Sequence, residues 1–170
     1  KKTTNLQVEV CVSDNCSKES IEPIIRRYDK DINIRFNKNS KNMGMGKNIL
    51  KAVSMAKGEF CWLLGNDDLV LPNTFEKISN LFREFKEVDF YYINSFHLSP
   101  ERFNNFKHPI DTKILDYKDL KKFSNHEKSE KLDFFELIDP QKSFEFMLSI
   151  FLCIFRREYW VKNSHVVCKD

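Results

Sequence analysis

Residues 59–64 read E-F-C-W-L-L and halt at Gly65-Asn66-Asp67-Asp68. A run that is apolar on both faces and ends abruptly in turn residues reads as a central parallel strand, buried from above and below. Helices must cover such a strand, and the flanking sequence supplies them in alternation. Residues 7–12 (Q-V-E-V-C-V) form a strand that runs into Ser13-Asp14-Asn15. Ser17 and Ser20 open a helix whose Ile21, Ile24, Ile25 and Tyr28 recur at helical spacing. A short strand over 32–36 and a polar loop over 37–42 follow. Residues 44–57 then carry Met45, Ile49, Val53 and Ala56 on one face, with Gly58 as the stop. Past Pro72, Asn73 and Glu76 form an N-cap pair ahead of the stripe Phe75, Ile78, Leu81, Phe82 and Phe85. Residues 88–96 make a fourth strand. The order β-α-β-α-β-α-β predicts an α/β fold with a mostly parallel central sheet and helices on both faces.

A chain of 170 residues has the length of one domain. We read 1–170 as that domain, with a regular half over 1–96 and a second half over 97–170. Residues 97–140 are rich in Lys, Asp and Asn and broken by Pro100, Pro109 and Pro140. Short helices are expected there over 118–123 and 132–138. Regularity returns with a buried strand over 147–155 and a helix from Arg156 to about Lys162. The apolar ten-mer 146–155 is half the roughly 20 residues that a membrane-spanning helix needs. Net charge is +3, too near neutrality to indicate a nucleic-acid partner. Cys11, Cys61 and Cys153 sit inside apolar runs as small hydrophobes, which together with the absence of any C-x-x-C pair suits a reducing, cytoplasmic setting. No signal-peptide pattern is visible. The Lys-rich stretch 118–131 keeps open a peripheral contact with the inner face of a membrane.

Asp14 and the pair Asp67-Asp68 each follow directly on a strand of the expected sheet. In open α/β sheets the C-terminal strand ends line the ligand crevice, so acids from separate strands can converge on one ligand. A hard divalent cation takes oxygen ligands, often one or two from protein and the rest from substrate phosphates and water. The plainer alternative is a solvated Asp-Asp turn.

Three stretches change that balance: V-E-V-C-V-S-D-N-C-S, then N-K-N-S-K-N-M-G-M-G-K-N, then A-K-G-E-F-C-W-L-L-G-N-D-D-L-V-L-P. In order and spacing the set resembles the nucleotide-sugar-binding half of family-2 glycosyltransferases with the GT-A fold, from about Val8 to Ile78. I-F-R-R-E-Y-W at 154–160 is a weaker echo of the element that follows the acceptor region, so the resemblance implies a nucleotide-sugar-binding half over 1–96 and an acceptor-side half over 97–170. The resemblance implies that Asp14 hydrogen-bonds the donor's base. It implies that Gly44, Lys47 and Asn48 approach the nucleotide, that Asp67 contacts the ribose, and that Asp68 binds Mn or Mg on the diphosphate. Asn66 stands where related enzymes often have an acid. A nucleoside diphosphate sugar donor, a saccharide or lipid-linked acceptor, inversion at the anomeric carbon and bacterial surface-polysaccharide synthesis are what the likeness implies for the reaction.

Each residue has a plainer role beside the implied one. Gly44 and Gly46 could relieve crowding, Lys47 could be a solvated helix lysine, and Asn48 could hold its loop by backbone hydrogen bonds. The family's opening strand and its Thr-Tyr-Asn-like turn have no counterpart ahead of the first matching strand. The catalytic base is unassigned, with Asp170 at workable spacing and Asp139 better read as a helix boundary. His97, His108, His126 and His165 share no metal-ligand spacing. Two rival functions remain: a non-catalytic sugar-nucleotide-binding or scaffolding domain, and a receiver-like Mg-binding phosphoacceptor module. The second places its acid pair before its lone acid, the reverse of the order here.

Overall fold

A computed structural model describes residues 6–107, 109–117, 120–125, 127–137 and 150–167. Its elements follow the expected alternation: β1 (Glu9–Asp14), α1 (Glu22–Tyr28), β2 (Asn33–Lys38), α2 (Met45–Met55), β3 (Phe60–Trp62), α3 (Thr74–Glu84) and β4 (Phe90–Tyr92). Then come β5 (Phe96–His97), α4 (Pro100–Asn105), a 3-10 turn at Thr112–Ile114, β6 (Lys121–Lys122) and α5 (Phe134–Leu137). A second 3-10 turn at Ile150–Leu152 leads into β7 (Cys153–Arg156) and α6 (Arg157–Val167).

The chain divides into two compact units, Gln7–Cys61 with Phe155–Asp170, and Trp62–Ile154 with the first six residues. β7 and α6 bring the chain back to its early strands. In the first of these units β1 and β2 pair in parallel, from Glu9 opposite Asn33 to Asp14 opposite Lys38. Glu9 is the unit's tie. Its carboxylate accepts from Arg35 Nε at 2.7 Å on β2 and from the Gly58 amide at 2.8 Å, with the Lys57 amide also bonded, at the turn into β3. A side chain thus makes the bond from β1 to that turn that a strand ladder would otherwise make. β1–β2 is a two-stranded sheet of its own, apart from β3-β7-β4, where a single sheet was expected. Val53 of α2 and Cys61 are buried. Phe155 stacks on Trp160 of α6, and α6 packs against α2. The Arg157 amide and guanidinium bond the carbonyls of Glu59 and Gly58, each at 2.9 Å, which docks the start of α6 on the start of β3.

In the second unit Leu152, Ile154, Tyr91 and Ile78 are the buried core. β7 lies between β3 and β4, so the last strand is inserted next to strands far earlier in the chain. Trp62 Nε1 donates to the Phe151 carbonyl at 2.7 Å, and Phe82 of α3 packs on Tyr91 with ring centroids 5.0 Å apart.

Several local expectations are corrected. Residues 121–122 are not helical: they pair antiparallel with β5, Phe96 opposite Lys122, and His97 stacks on Phe123. The expected fourth strand is two short ones, with Asn94 between them bonded to the 124 backbone through both ends of its amide. Asn73 does not cap α3 by its side chain; it adopts a left-handed backbone (φ 63°) and passes its carbonyl to Lys77. α1 buries none of its residues, and Ile24 is 60% exposed. Of the strand expected over 147–155, residues 150–152 are a 3-10 turn and 153–156 the strand; 147–149 lie outside the described residues, as do Asp139, His108 and His126.

Candidate functional site

β1 ends on Asp14, whose side chain is only 1% exposed. One carboxylate oxygen, Oδ1, accepts from the Ser17 amide at 2.8 Å, closing a tight turn over 14–17 in which Cys16 takes a left-handed backbone (φ 69°). The other, Oδ2, is buried without a hydrogen-bond partner, and the Lys38 ammonium stands 3.8 Å away. Hydrogen bonding from Ser17, side chain and amide, holds the Asp14 carboxyl below the ordinary carboxylate range; the Lys38 charge adds to this, and partial desolvation opposes it. Asp14 is therefore an anion with one acceptor oxygen unspent.

Asparagines surround this turn. Asn39, buried, donates to Asn48 Oδ1 at 2.9 Å and to Asn15 Oδ1 at 3.4 Å, and accepts from Asn37 at 2.8 Å. Asn48, in the first turn of α2, accepts from the Ser13 hydroxyl at 2.7 Å and donates to the Ser13 carbonyl at 3.1 Å. Asn15 accepts from the Met43 amide at 2.8 Å and donates to Asn42 and to the Gly44 carbonyl. The β1 turn, the 39–44 loop and the start of α2 are thus one hydrogen-bonded body.

Gly44 begins α2 at φ 81° and ψ 164°, a conformation that only glycine adopts readily. A Cβ at Gly44 or Gly46 would meet nothing within 4 Å, so neither relieves crowding: Gly44 is there for its backbone, and Gly46 leaves an open helix start. Lys47 is exposed in the same first turn.

The second set of candidates forms the turn after β3. The Asp68 amide bonds the Gly65 carbonyl at 3.4 Å, and the Gly65 amide donates to Asp68 Oδ2 at 2.6 Å. A Cβ built on Gly65 would stand 2.6 Å from Asp67 Oδ1 and 3.2 Å from Asp68 Oδ2. The two carboxylates therefore lean over one glycine, in the space a side chain would fill. This donor set of paired carboxylate oxygens suits a hard divalent cation that keeps its remaining positions for phosphate and water. Among the described residues no three His, Cys, Asp or Glu side chains gather into a metal-holding group. Asp170 lies outside the described residues.

Sequence reasoning placed Asp14 at a strand end and paired Asp67 with Asp68 in a turn. It missed Asn39, inside the polar loop N-K-N-S-K-N, and Asn15, in the turn after β1; the density of amide side chains was the available signal. It also missed Ser17 and Lys38 as the groups that surround the Asp14 carboxylate.

The family model for glycosyl transferase family 2 matches residues 1–159. The chain belongs to this family of sugar-transferring enzymes. Among curated relatives, abequosyltransferase RfbV of Salmonella typhimurium is 41% identical over 72 residues, 41% of this chain and 22% of RfbV. An uncharacterised glycosyltransferase of Methanocaldococcus jannaschii, MJ1057, is 36% identical over 81 residues, 47% of this chain and 28% of its own. A Mycoplasma pneumoniae glycosyltransferase, the MG025 homolog, is 30% identical over 153 residues, 83% of this chain and 46% of its own. The chain thus spans less than half the length of the curated relatives it matches. The crystal structure of residues 1–349 of Staphylococcus aureus TarS superposes with a TM-score of 0.58 over 92% of this chain and 40% of TarS, at 19% identity. The family and this likeness together define a GT-A α/β fold.

Proposed function

We propose that the protein transfers a sugar from a nucleoside diphosphate sugar to a saccharide or glycolipid acceptor, with inversion at the anomeric carbon and with Mn or Mg as cofactor. The observation that carries the reading is the Gly65 turn, where two carboxylates share the room of one absent side chain. Asp68, with Asp67 beside it, would hold the cation, which when bound supplies Lewis-acid stabilisation of the departing diphosphate. The chain's own part is positional. Asp14 stays ionised and offers its unspent oxygen to a donor N–H of the nucleobase, and Lys38 keeps that oxygen from being an uncompensated buried charge. Gly44 and Gly46 leave the start of α2 open for the nucleotide, and Lys47 stands in the same turn as a charge for its phosphates. Bacterial surface-polysaccharide synthesis at the cytoplasmic side of a membrane is the setting this reading favours; among the described residues no helix is long and apolar enough to cross one.

The experiment is a screen of UDP-, GDP-, CDP- and dTDP-sugars with and without Mn, read as release of the nucleoside diphosphate. Mn-dependent release from one of the four is expected. Its absence for all four, in the presence of saccharide and lipid-linked acceptors, overturns the reading.

A further inference from the structure

We propose that Asn39 is the positioning residue for nucleoside recognition at Asp14, gripping the chain on both sides of that acid. The inference rests in part on the donor-binding reading above. Asn39 bonds Asp14 and Asn15 directly and is tied to Ser13 through Asn48. Its backbone amide donates to the Asp14 carbonyl at 2.9 Å, one step past the β1–β2 ladder. Its side-chain amide reaches Asn15 on one side, and on the other reaches Asn48, which bonds both the hydroxyl and the carbonyl of Ser13. A carboxamide offers two N–H donors and one oxygen; here the donors go to Asn48 and Asn15 and the oxygen accepts from Asn37. No other side chain of that size has both functions. Aspartate would set an acceptor against the oxygens of Asn48 and Asn15 and add a second anion close to Asp14.

The need for such a grip follows from Asp14 itself. Its carboxylate is buried with one oxygen unbonded, an arrangement that costs free energy and survives only where the surroundings hold it. A turn free to shift would let that oxygen find a partner of its own. Held by Asn39, the turn keeps the Asp14 backbone in one place, so the carboxylate meets a ligand N–H from a fixed position.

Two variants and two readouts test this on the full chain. Asn39→Ala removes the side-chain part of the grip and leaves the backbone bond to Asp14, and Asn39→Asp keeps the volume while reversing the donor face. Either should weaken binding of the best of UDP, GDP, CDP and dTDP by about tenfold, the equivalent of one to two lost hydrogen bonds. The fold-enhancement of binding by Mn should be unchanged. Added to Asp14→Ala, either should cost almost nothing further, since it acts through the same acid. Independently of any nucleotide, exchange of the Ser17 amide proton, which is bonded to Asp14, should accelerate while amides of Val10 and Val12 keep their rates. Unchanged exchange at Ser17, wild-type nucleotide affinity, or full additivity with Asp14→Ala would each overturn the proposal. Faster Ser17 exchange in a protein whose wild type binds none of the four nucleotides would overturn the donor reading and with it the recognition role, and would show Asn39 to be a structural tie of the turn alone.

Discussion

Gly65 lies under two carboxylate oxygens, and a methyl group there would stand 2.6 Å from one and 3.2 Å from the other. The far ends of Asp67 and Asp68 can swing aside, so Gly65→Ala should fold with little loss of stability. What it should lose is Mn-enhanced nucleotide binding, by about tenfold, as both oxygens leave their shared space. Thermal shifts with and without Mn measure this; a Gly65→Ala protein with wild-type Mn enhancement would show that the paired oxygens are not the cation's ligands. Burial pushes the Cys61 thiol up to about 11. Alkylation at neutral pH should therefore spare Cys61 in the folded protein and label it after denaturation, read by peptide mass, whereas exposed Cys16 should label in both states. At this scale the sequence was informative wherever residue type and turn coincide, as in Gly65-Asn66-Asp67-Asp68. It was uninformative about Asp14's burial and about the asparagine network. Those depend on which loop closes over which strand end, and polar residues carry no periodicity that would say so.

Helix α2 carries two glycines two positions apart that should respond oppositely to alanine. Gly44 has φ 81°, so Gly44→Ala should destabilise by about 1–3 kcal/mol despite the open space around it. Gly46 is helical and its Cβ would touch nothing, so Gly46→Ala should stabilise by about 0.5 kcal/mol through helix propensity. Urea denaturation of the two variants decides the sign of each. The strand β1 has its own device in Glu9. Burial would raise its carboxyl, but the Arg35 hydrogen bond and the Lys57 and Gly58 amides outweigh it and lower it below 4.5. A carboxyl lowered by folding stabilises above its unfolded value and loses that contribution as pH falls through the folded one. Glu9→Gln should therefore cost about 2 kcal/mol at pH 7. The gap from wild type should narrow steadily below pH 4.5, as acid denaturation curves would record; a constant gap would contradict the ion-pair account. Most elements were legible because their hydrophobic periods are strong, α2 and α3 above all. The exceptions share a cause. Residues 121–122 and the end of the fourth strand are polar and short, so pairing between β5 and β6 decided their conformation, and Asn73 followed its backbone rather than its capping habit.

For the whole molecule, alternation of strands and helices predicted the α/β class, and the family-2 resemblance predicted the GT-A fold. It did not predict how the chain returns: β7 enters beside β3 and β4, and α6 closes back on α2. Such long-range insertions leave no local pattern in the sequence. Because the roles implied for the two acids differ, the nucleobase for Asp14 and the cation for Asp68, neither Asp14→Ala nor Asp68→Ala alone should abolish nucleotide binding: the first should weaken it with or without metal, the second only its metal-dependent share. The most direct measurement is calorimetric titration of UDP, GDP, CDP and dTDP into wild type and Asp68→Ala, each with and without Mn. The account predicts one nucleotide bound more tightly with Mn by the wild type, and bound with equal affinity in both conditions by Asp68→Ala. Mn enhancement that survives in Asp68→Ala would contradict it.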